Sequence, residues 1–282
     1  MIVDAHQHFW NPDTVEYSWL TPESGVLYRT YAPADLAPEL RAAGVDRTVL
    51  VQAANSLAET DAMLAHADAH PFIAGVVGWI DLTDPAGAAA ALDRYRRHPA
   101  FVGVRHLIHE EPDPDWLVRD GVLESLGLLA AAGLAFDVVS LLPRHLDHVV
   151  TVAERHPGLK LVVDHLSKPR IRDHEWEPWA TKLATAASYP NVCAKVSGLV
   201  TEADHERWTV EDLRPYVDYA VERFGPERLM FGSDWPVVLR ASDYRTVFQV
   251  THALLGGTDT EQVFGGTAVR VYGLDREVRE PS

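Results

Sequence analysis

The sequence is poor in cysteine, in basic residues and in long apolar runs. Its 282 residues contain 1 cysteine, which excludes a disulfide framework and any zinc module built from several cysteines. Lys and Arg number 25 against 41 Asp and Glu, and the net charge of −16 disfavours nucleic acid and anionic membranes as main partners. No run approaches the ~20 apolar residues that a membrane helix needs. The N-terminus has no basic segment followed by an apolar one, so we expect a soluble cytoplasmic protein.

Several familiar catalytic signatures are also missing. There is no Gly-x-Ser-x-Gly elbow, no phosphate-binding P-loop and no His-Glu-x-x-His zinc motif. Cys193 lies within a strand pattern, and we expect it to be a small buried hydrophobe. Hydrophobic residues make up 47% and charged residues 23%, an ordinary globular composition, and the length fits one domain over residues 1–282.

The dominant pattern is an alternation of short apolar runs with longer stretches of helical period. The predicted strands are 2–6, 47–53, 72–80, 101–106, 134–139, 160–165, 192–197 and 229–232. The predicted helices are 34–43, 58–70, 85–98, 118–132, 144–156, 175–189, 210–224, 243–255 and 260–272. Gly44, Gly133 and Gly225 follow three of these helices, where a left-handed residue commonly ends a helix.

Strict alternation of strand and helix implies parallel strands joined by right-handed crossovers. Eight such units predict an α/β fold, a single (β/α)₈ TIM barrel with long loops at its C-terminal face. The competing architecture is an open doubly wound sheet, which is disfavoured because no Gly-rich phosphate loop follows the first strand. Residues 9–33, 108–116 and 199–209 form long inserts after strands one, four and seven, where barrel active sites lie.

The first strand carries the clearest chemical signal. Alternate residues of a strand face the same side, so Asp4, His6 and His8 are expected to share one face. Two imidazoles at that spacing can bind one metal ion or one oxygen-rich substrate. The alternative is a polar strand end with solvated histidines. We favour a functional role because the pair ends the first strand of a predicted barrel, where a buried Asp4 would need a partner.

Two later residues extend this signal. Asp234 follows the eighth strand, which neighbours the first in a closed barrel, and such a carboxylate can accept a proton from water. Otherwise it would be a helix cap. His165 ends the sixth strand and is the natural third imidazole, unless it is a loop histidine bonded to backbone.

The remaining candidates concern substrate binding. Arg105 is preferred over His106 as the inward residue of strand four and as a clamp for carbonyl or carboxylate oxygens. Lys195 shares a face with Ser197 and is either a substrate contact or an outward ion pair. Glu110 and Glu111 form either a solvated acidic turn or, through one of them, a ligand at the mouth. Three tryptophans near strand ends could face a sugar ring or be core residues: Trp10, Trp79 and Trp235.

Taken together, these residues resemble the amidohydrolase superfamily, and most closely its sugar-lactonase branch of L-fucono- and L-rhamnono-lactonases and muconolactone-type hydrolases. The resemblance is carried by the Asp4-x-His6-x-His8 opening, His165 and Asp234, and by the runs 4–10, 103–106, 111–113, 163–169, 195–199 and 231–236. It spans nearly the whole chain. One departure is notable, because Arg105 and His106 stand where the wider superfamily often has a carboxylated lysine that bridges two metals.

The resemblance implies a hydrolase that opens a sugar-derived lactone. Asp234 would be general base and later acid, with His165 also in the catalytic set, and Trp10, Trp79, Trp235, Arg105, Lys195 and Glu111 would contact substrate. His6, His8, His165 and Asp234 would hold one divalent metal, Zn²⁺ in the first instance, weakly held or dispensable. The alternatives are a metal-dependent decarboxylase of an aromatic or muconate-type acid and a non-catalytic lactone-binding protein. A homodimer is expected because symmetric dimers are common.

Overall fold

The computed structural model describes residues 1–274, which form one parallel eight-stranded sheet with its strands in chain order. The strands are β1 (Val3–Gln7), β2 (Arg47–Val51), β3 (Ile73–Gly78), β4 (Phe101–His106), β5 (Ala135–Val138), β6 (Lys160–Val163), β7 (Val192–Val196) and β8 (Leu229–Phe231). All eight coincide with predicted strands, although most are shorter. Residues 275–282 of the predicted domain lie outside the described residues.

The sheet closes at its C-terminal edge, just beyond the end of β8. The amide of His8 donates to the carbonyl of Trp235 at 2.7 Å, and the amide of Asp234 donates to the carbonyl of His6 at 2.8 Å. These bonds join the last strand to the first and exclude the open doubly wound sheet. The predicted (β/α)₈ barrel is therefore confirmed, and its closure brings the segment around Asp234 beside β1.

Nine α-helices alternate with or follow the strands within residues 1–274. They are α1 (Pro33–Ala43), α2 (Leu57–Ala69), α3 (Pro85–Tyr95), α4 (Asp120–Ala132), α5 (Pro143–Arg155), α6 (Trp179–Ala187), α7 (Val210–Phe224), α8 (Tyr244–Leu254) and α9 (Thr267–Tyr272). The helix predicted at 175–189 begins later, after Pro178, and the one predicted at 260–272 contains a π turn over Gln262–Gly266 before α9. Gly44 and Gly133 are left-handed as expected, whereas Gly225 has a positive φ with an extended ψ of 163°. No helix in this part of the chain is long and apolar enough to span a membrane.

The lower half of the barrel interior is apolar. Cys193 of β7 packs there, as predicted, among residues from every strand of the barrel. Ala268, Val271 and Tyr272 of α9 belong to the same cluster, so this C-terminal helix closes the end of the barrel opposite the mouth. The mouth is thus the end where polar side chains have room to meet.

The alternation of side chains along β1 changes partway along the strand. Residues 4–7 of β1 match residues 48–50 of β2, which is one residue too many and marks an irregularity of the β-bulge type. Val3 and Ala5 lie in the interior cluster, whereas the Asp4 carboxylate accepts a hydrogen bond from Tyr244 Oη of α8 at 3.1 Å. The prediction that Asp4 shares a face with His6 and His8 is therefore wrong, because the bulge reverses the alternation after Ala5.

Candidate active site

Three imidazoles and one carboxylate meet at the centre of the barrel mouth. His6 Nε2 and His8 Nε2 are 3.1 Å apart, and Asp234 Oδ1 lies 3.3 Å from His8 Nε2 and 3.7 Å from His6 Nε2. His165 Nε2 is 4.0 Å from the same carboxylate oxygen. All four residues are buried. The structure thus brings together the four residues that were predicted to be catalytic or metal-binding.

Left-handed backbone conformations orient the side chains of His165 and Asp234 toward the site. Asp234 has φ 57°, and His165 through Lys168 form a run of left-handed residues directly after β6. Non-glycine residues adopt this region rarely, and such conformations cluster at functional sites. Val162 lies in the barrel interior, so strand alternation also places Asp164 inward, and the left-handed turn after it brings His165 to the same site. Sequence reasoning did not select Asp164.

The Nδ1 atom of each histidine contacts a polar group on the side of the ring away from Asp234. His8 Nδ1 lies 2.7 Å from the carbonyl of Val51, which only accepts, so Nδ1 carries the proton and Nε2 presents a lone pair. His165 Nδ1 is 2.9 Å from Ser197 Oγ. His6 Nδ1 has an ammonium donor, Lys195 Nζ, at 3.1 Å and a carboxylate oxygen, Asp164 Oδ1, at 3.2 Å. Such outer contacts orient the imidazoles that bind metals in proteins.

The electrostatics keep the imidazoles neutral and Asp234 ionised. Burial lowers the pKa of His6 and of His8 and brings the pKa of His165 to about 4. Burial works to raise the pKa of Asp234, but the adjacent imidazoles of His165, His8 and His6 hold that pKa below its usual value. At neutral pH the cluster therefore offers three neutral nitrogens and one anionic oxygen.

Arg105 faces inward beside this cluster, whereas its neighbour His106 does not. Arg105 Nη1 lies 3.0 Å from Asp164 Oδ2 and 3.4 Å from His6 Nε2, and Nη2 donates to the carbonyl of Gln52. The Asp164 contact holds the guanidinium next to the imidazoles. Asp164 thereby links Arg105 to His6.

Lys195 is buried among charged groups. Its side chain is 0% exposed, and its ammonium lies 2.5 Å from Asp137 Oδ2 and 3.1 Å from Asp164 Oδ1. The alternative of an outward ion pair is wrong. Contact of Lys195 with substrate stays a prediction, and in this structure its ammonium is surrounded by Asp137, Asp164 and His6.

His106 organises a second polar group beside the mouth. Trp79 Nε1 donates to His106 Nδ1 at 2.9 Å, so the other nitrogen carries the proton and donates to Glu111 Oε1 at 2.7 Å. The imidazole stacks on Trp116 with 3.8 Å between ring centroids. Glu111 is thus committed to His106, while Trp79 keeps part of its surface exposed. Glu110 accepts a hydrogen bond from Ser18 of the long first loop.

The other two candidate tryptophans pack beneath the long first loop. Trp10 is 2% exposed and its indole donates to the carbonyl of Arg29 at 2.8 Å. Trp235 is 3% exposed and meets Tyr31 edge to face. Their observed contacts hold residues 9–33 against the barrel mouth, and substrate contact by either ring stays a prediction.

Gly198 is a further site residue that sequence reasoning did not single out. It has φ +63°, and a Cβ at this position would lie 2.7 Å from His165 Nδ1 and 3.0 Å from Asp234 Oδ2. The backbone of the segment after β7 thus approaches both side chains more closely than any other residue type allows. Its only signal in the sequence was its place after Ser197.

The donor set fits one divalent metal. Zn–N bonds of about 2.0–2.1 Å in a tetrahedron place donors roughly 3.3–3.4 Å apart, close to the 3.1, 3.3 and 3.7 Å separations of His6, His8 and Asp234. A second group, His6 with Asp164 and His165, has comparable spacing. Asp164 is already paired with Arg105 and Lys195, so the group containing Asp234 fits an ion better.

Comparison with known proteins gives a consistent picture. The family model described as amidohydrolase matches residues 3–274. An L-fucono-1,5-lactonase of Burkholderia ambifaria is 38% identical over 97% of this chain and 96% of its own length, and one of Burkholderia multivorans is 36% identical over 96% of each. A crystal structure of a Burkholderia multivorans amidohydrolase with bound zinc is 33% identical, covers 97% of this chain and 99% of its own, and has a TM-score of 0.90.

We predict that Gly198→Ala weakens Zn²⁺ binding by at least about 10-fold, the lower end of what disturbed ligand support costs. The added methyl must displace His165 or Asp234. The matched control is Gly133→Ala, which has the same positive φ with nothing within 4 Å and shares the strain of about 1–2 kcal/mol without the clash. Competition with a chromophoric chelator measures the affinities, and equal dissociation constants for the two variants would contradict the prediction.

Proposed function

The chain belongs to the amidohydrolase family, and we propose that it hydrolyses a sugar-derived lactone of the L-fucono- or L-rhamnono-lactone type. The observation that carries this proposal is the buried Asp234 carboxylate, which lies 3.3 to 4.0 Å from three imidazole nitrogens at the barrel mouth. Two relatives that match nearly end to end are L-fucono-1,5-lactonases, which supports a lactone as the substrate class.

The reaction needs a base, an electrophilic aid and an acid. A lactone is an activated ester, so water can attack its carbonyl carbon once a proton is removed. Asp234 takes that proton while the oxygen of water bonds to the carbonyl carbon. The ring carbon–oxygen bond then breaks, and the same proton passes from Asp234 to the departing ring oxygen. The product is an open hydroxy acid, and Asp234 is restored as a carboxylate.

His6, His8, His165 and Asp234 would hold one divalent metal, with Zn²⁺ as the first candidate. When bound, such an ion supplies a Lewis acid that polarises the carbonyl and makes water easier to deprotonate. The chain itself contributes neutral nitrogens, since burial lowers the pKa of each histidine. It also contributes Arg105, whose guanidinium beside His6 is placed to meet the oxygens of the substrate.

Trp79 and the first long loop would shape the substrate pocket. The Glu111–His106 pair fixes the indole of Trp79 through its N–H, so the partly exposed ring is a rigid apolar surface for one face of a sugar ring. The loop 9–33, which contains Trp10 and packs on Trp235 through Tyr31, would cover the imidazoles once substrate is bound.

We predict that Asp234→Asn lowers kcat for lactone hydrolysis at least about 100-fold, because general-base loss typically costs 10²–10⁴-fold. The melting temperature should change little, since the amide keeps the shape of the carboxylate. Asp61→Asn is the control, because Asp61 bonds Arg94 and Tyr95 on the outer helices. A near-normal kcat for Asp234→Asn would remove Asp234 from the mechanism.

A panel of aldonolactones tests the reaction class and the metal together. We expect acid release, followed with a pH indicator, to fall at least about 10-fold after chelation and to return on addition of Zn²⁺. Parallel bicarbonate detection identifies a decarboxylase. Thermal stabilisation by lactones with neither product would identify a binding protein, and either result would overturn the proposed hydrolysis.

A further inference from the structure

A buried chain of polar groups crosses the barrel interior beneath His6. We call it the interior polar column and define it as Tyr272, Asp137, Lys195 and Asp164. Tyr272 Oη donates to Asp137 at 2.8 Å, and Lys195 Nζ lies 2.5 Å from Asp137 Oδ2 and 3.1 Å from Asp164 Oδ1. The side chains of Asp137, Lys195 and Asp164 are 0% exposed. The column therefore runs from the C-terminal helix α9 to the mouth without meeting solvent.

Stability alone does not account for such a column. It stands within the apolar interior formed by residues such as Val49, Val77 and Val162. Buried ion pairs are often no better for stability than apolar residues of similar volume, because removing charges from water is costly. Within the column only Asp164 faces the mouth, and its carboxylate is already paired with Arg105 and Lys195.

The upper end of the column meets a single atom, Nδ1 of His6. Lys195 Nζ is a donor 3.1 Å from that nitrogen, and Asp164 Oδ1 is an acceptor 3.2 Å from it. Nδ1 thus has an ammonium beside it when it carries no proton and a carboxylate beside it when it does. In the tautomer protonated at Nδ1, Nε2 turns a lone pair toward His8 and Asp234, as a metal ligand must.

We propose that the interior polar column is a positioning device for His6. Tyr272 orients Asp137, Asp137 holds the Lys195 ammonium, and Lys195 with Asp164 sets the plane of the His6 ring. Tyr272, Asp137 and Lys195 are positioning residues, and through them α9 at the closed end of the barrel supports ligand geometry at the open end. This inference rests on the proposed metal site but not on the identity of the lactone.

Tyr272→Phe tests the proposal because it removes one hydroxyl far from the mouth. We expect the Zn²⁺ dissociation constant, measured by competition with a chromophoric chelator, to rise about 10-fold, the low end of the range for outer contacts. Tyr95→Phe is the matched control, since it removes a tyrosine–aspartate hydrogen bond of 3.0 Å between α3 and α2. Its dissociation constant should stay within about twofold, because Asp61 has no link to a metal ligand in this structure, whereas outer contacts to ligands change affinity by about 10-fold or more.

A double variant separates positioning from general loosening of the fold. If the column acts in sequence, Tyr272→Phe added to Asp137→Asn should weaken Zn²⁺ binding no further than Asp137→Asn alone, since coupled residues are not additive. Additive losses, or a Tyr272→Phe variant that melts earlier but binds Zn²⁺ normally, would overturn the column and leave the proposed hydrolysis standing. Absence of Zn²⁺ binding by the unaltered protein would instead overturn the metal site and the column together.

Discussion

The rest of the site depends on one buried charge, the Asp234 carboxylate. An ionised carboxylate removed from water needs compensation. The nearby buried cations are engaged elsewhere, since Arg105 pairs with Asp164 and Lys195 with Asp137 and Asp164. Asp234 instead contacts imidazoles whose pKa values burial has lowered. A divalent cation among these donors would balance the carboxylate, and a carboxylate held in this way is also suited to move a proton.

The barrel makes this arrangement by bringing the two ends of the chain together. Where the barrel closes between β8 and β1, the amide of Asp234 donates a hydrogen bond to the carbonyl of His6. The bulge in β1 then turns His6 and His8 inward, and left-handed residues aim His165 and Asp234. Each of these local features departs from regular strand geometry. Strain of this kind persists where the surrounding packing supports it, here the contacts of Gly198 and the first long loop.

Much of this could be predicted from the sequence, because regular periodicity and strand ends carry the information. The eight strands, the barrel, and the convergence of His6, His8, His165 and Asp234 at its mouth all follow from patterns of that kind. The face of β1 on which Asp4 lies could not be predicted, because nothing in the residue types reveals a bulge after Ala5. Asp164 was missed because His165 was taken as the inward residue at the end of the sixth strand, whereas alternation from the interior Val162 places Asp164 inward as well. The ion pair between Lys195 and Asp137 could not be predicted either. Asp137 lies two strands away in the sheet, and only the folded barrel brings the two side chains together.

We propose that one metal ion lies among His6, His8, His165 and Asp234, and the chemistry described above depends on it. Anomalous diffraction at the zinc edge from crystals of the zinc-loaded protein tests it most directly. We expect a single strong peak about 2.0–2.2 Å from His6 Nε2, His8 Nε2 and Asp234 Oδ1, with His165 Nε2 in the same coordination sphere. A peak centred elsewhere, or a carboxylate of Asp234 turned away from the imidazoles, would contradict it.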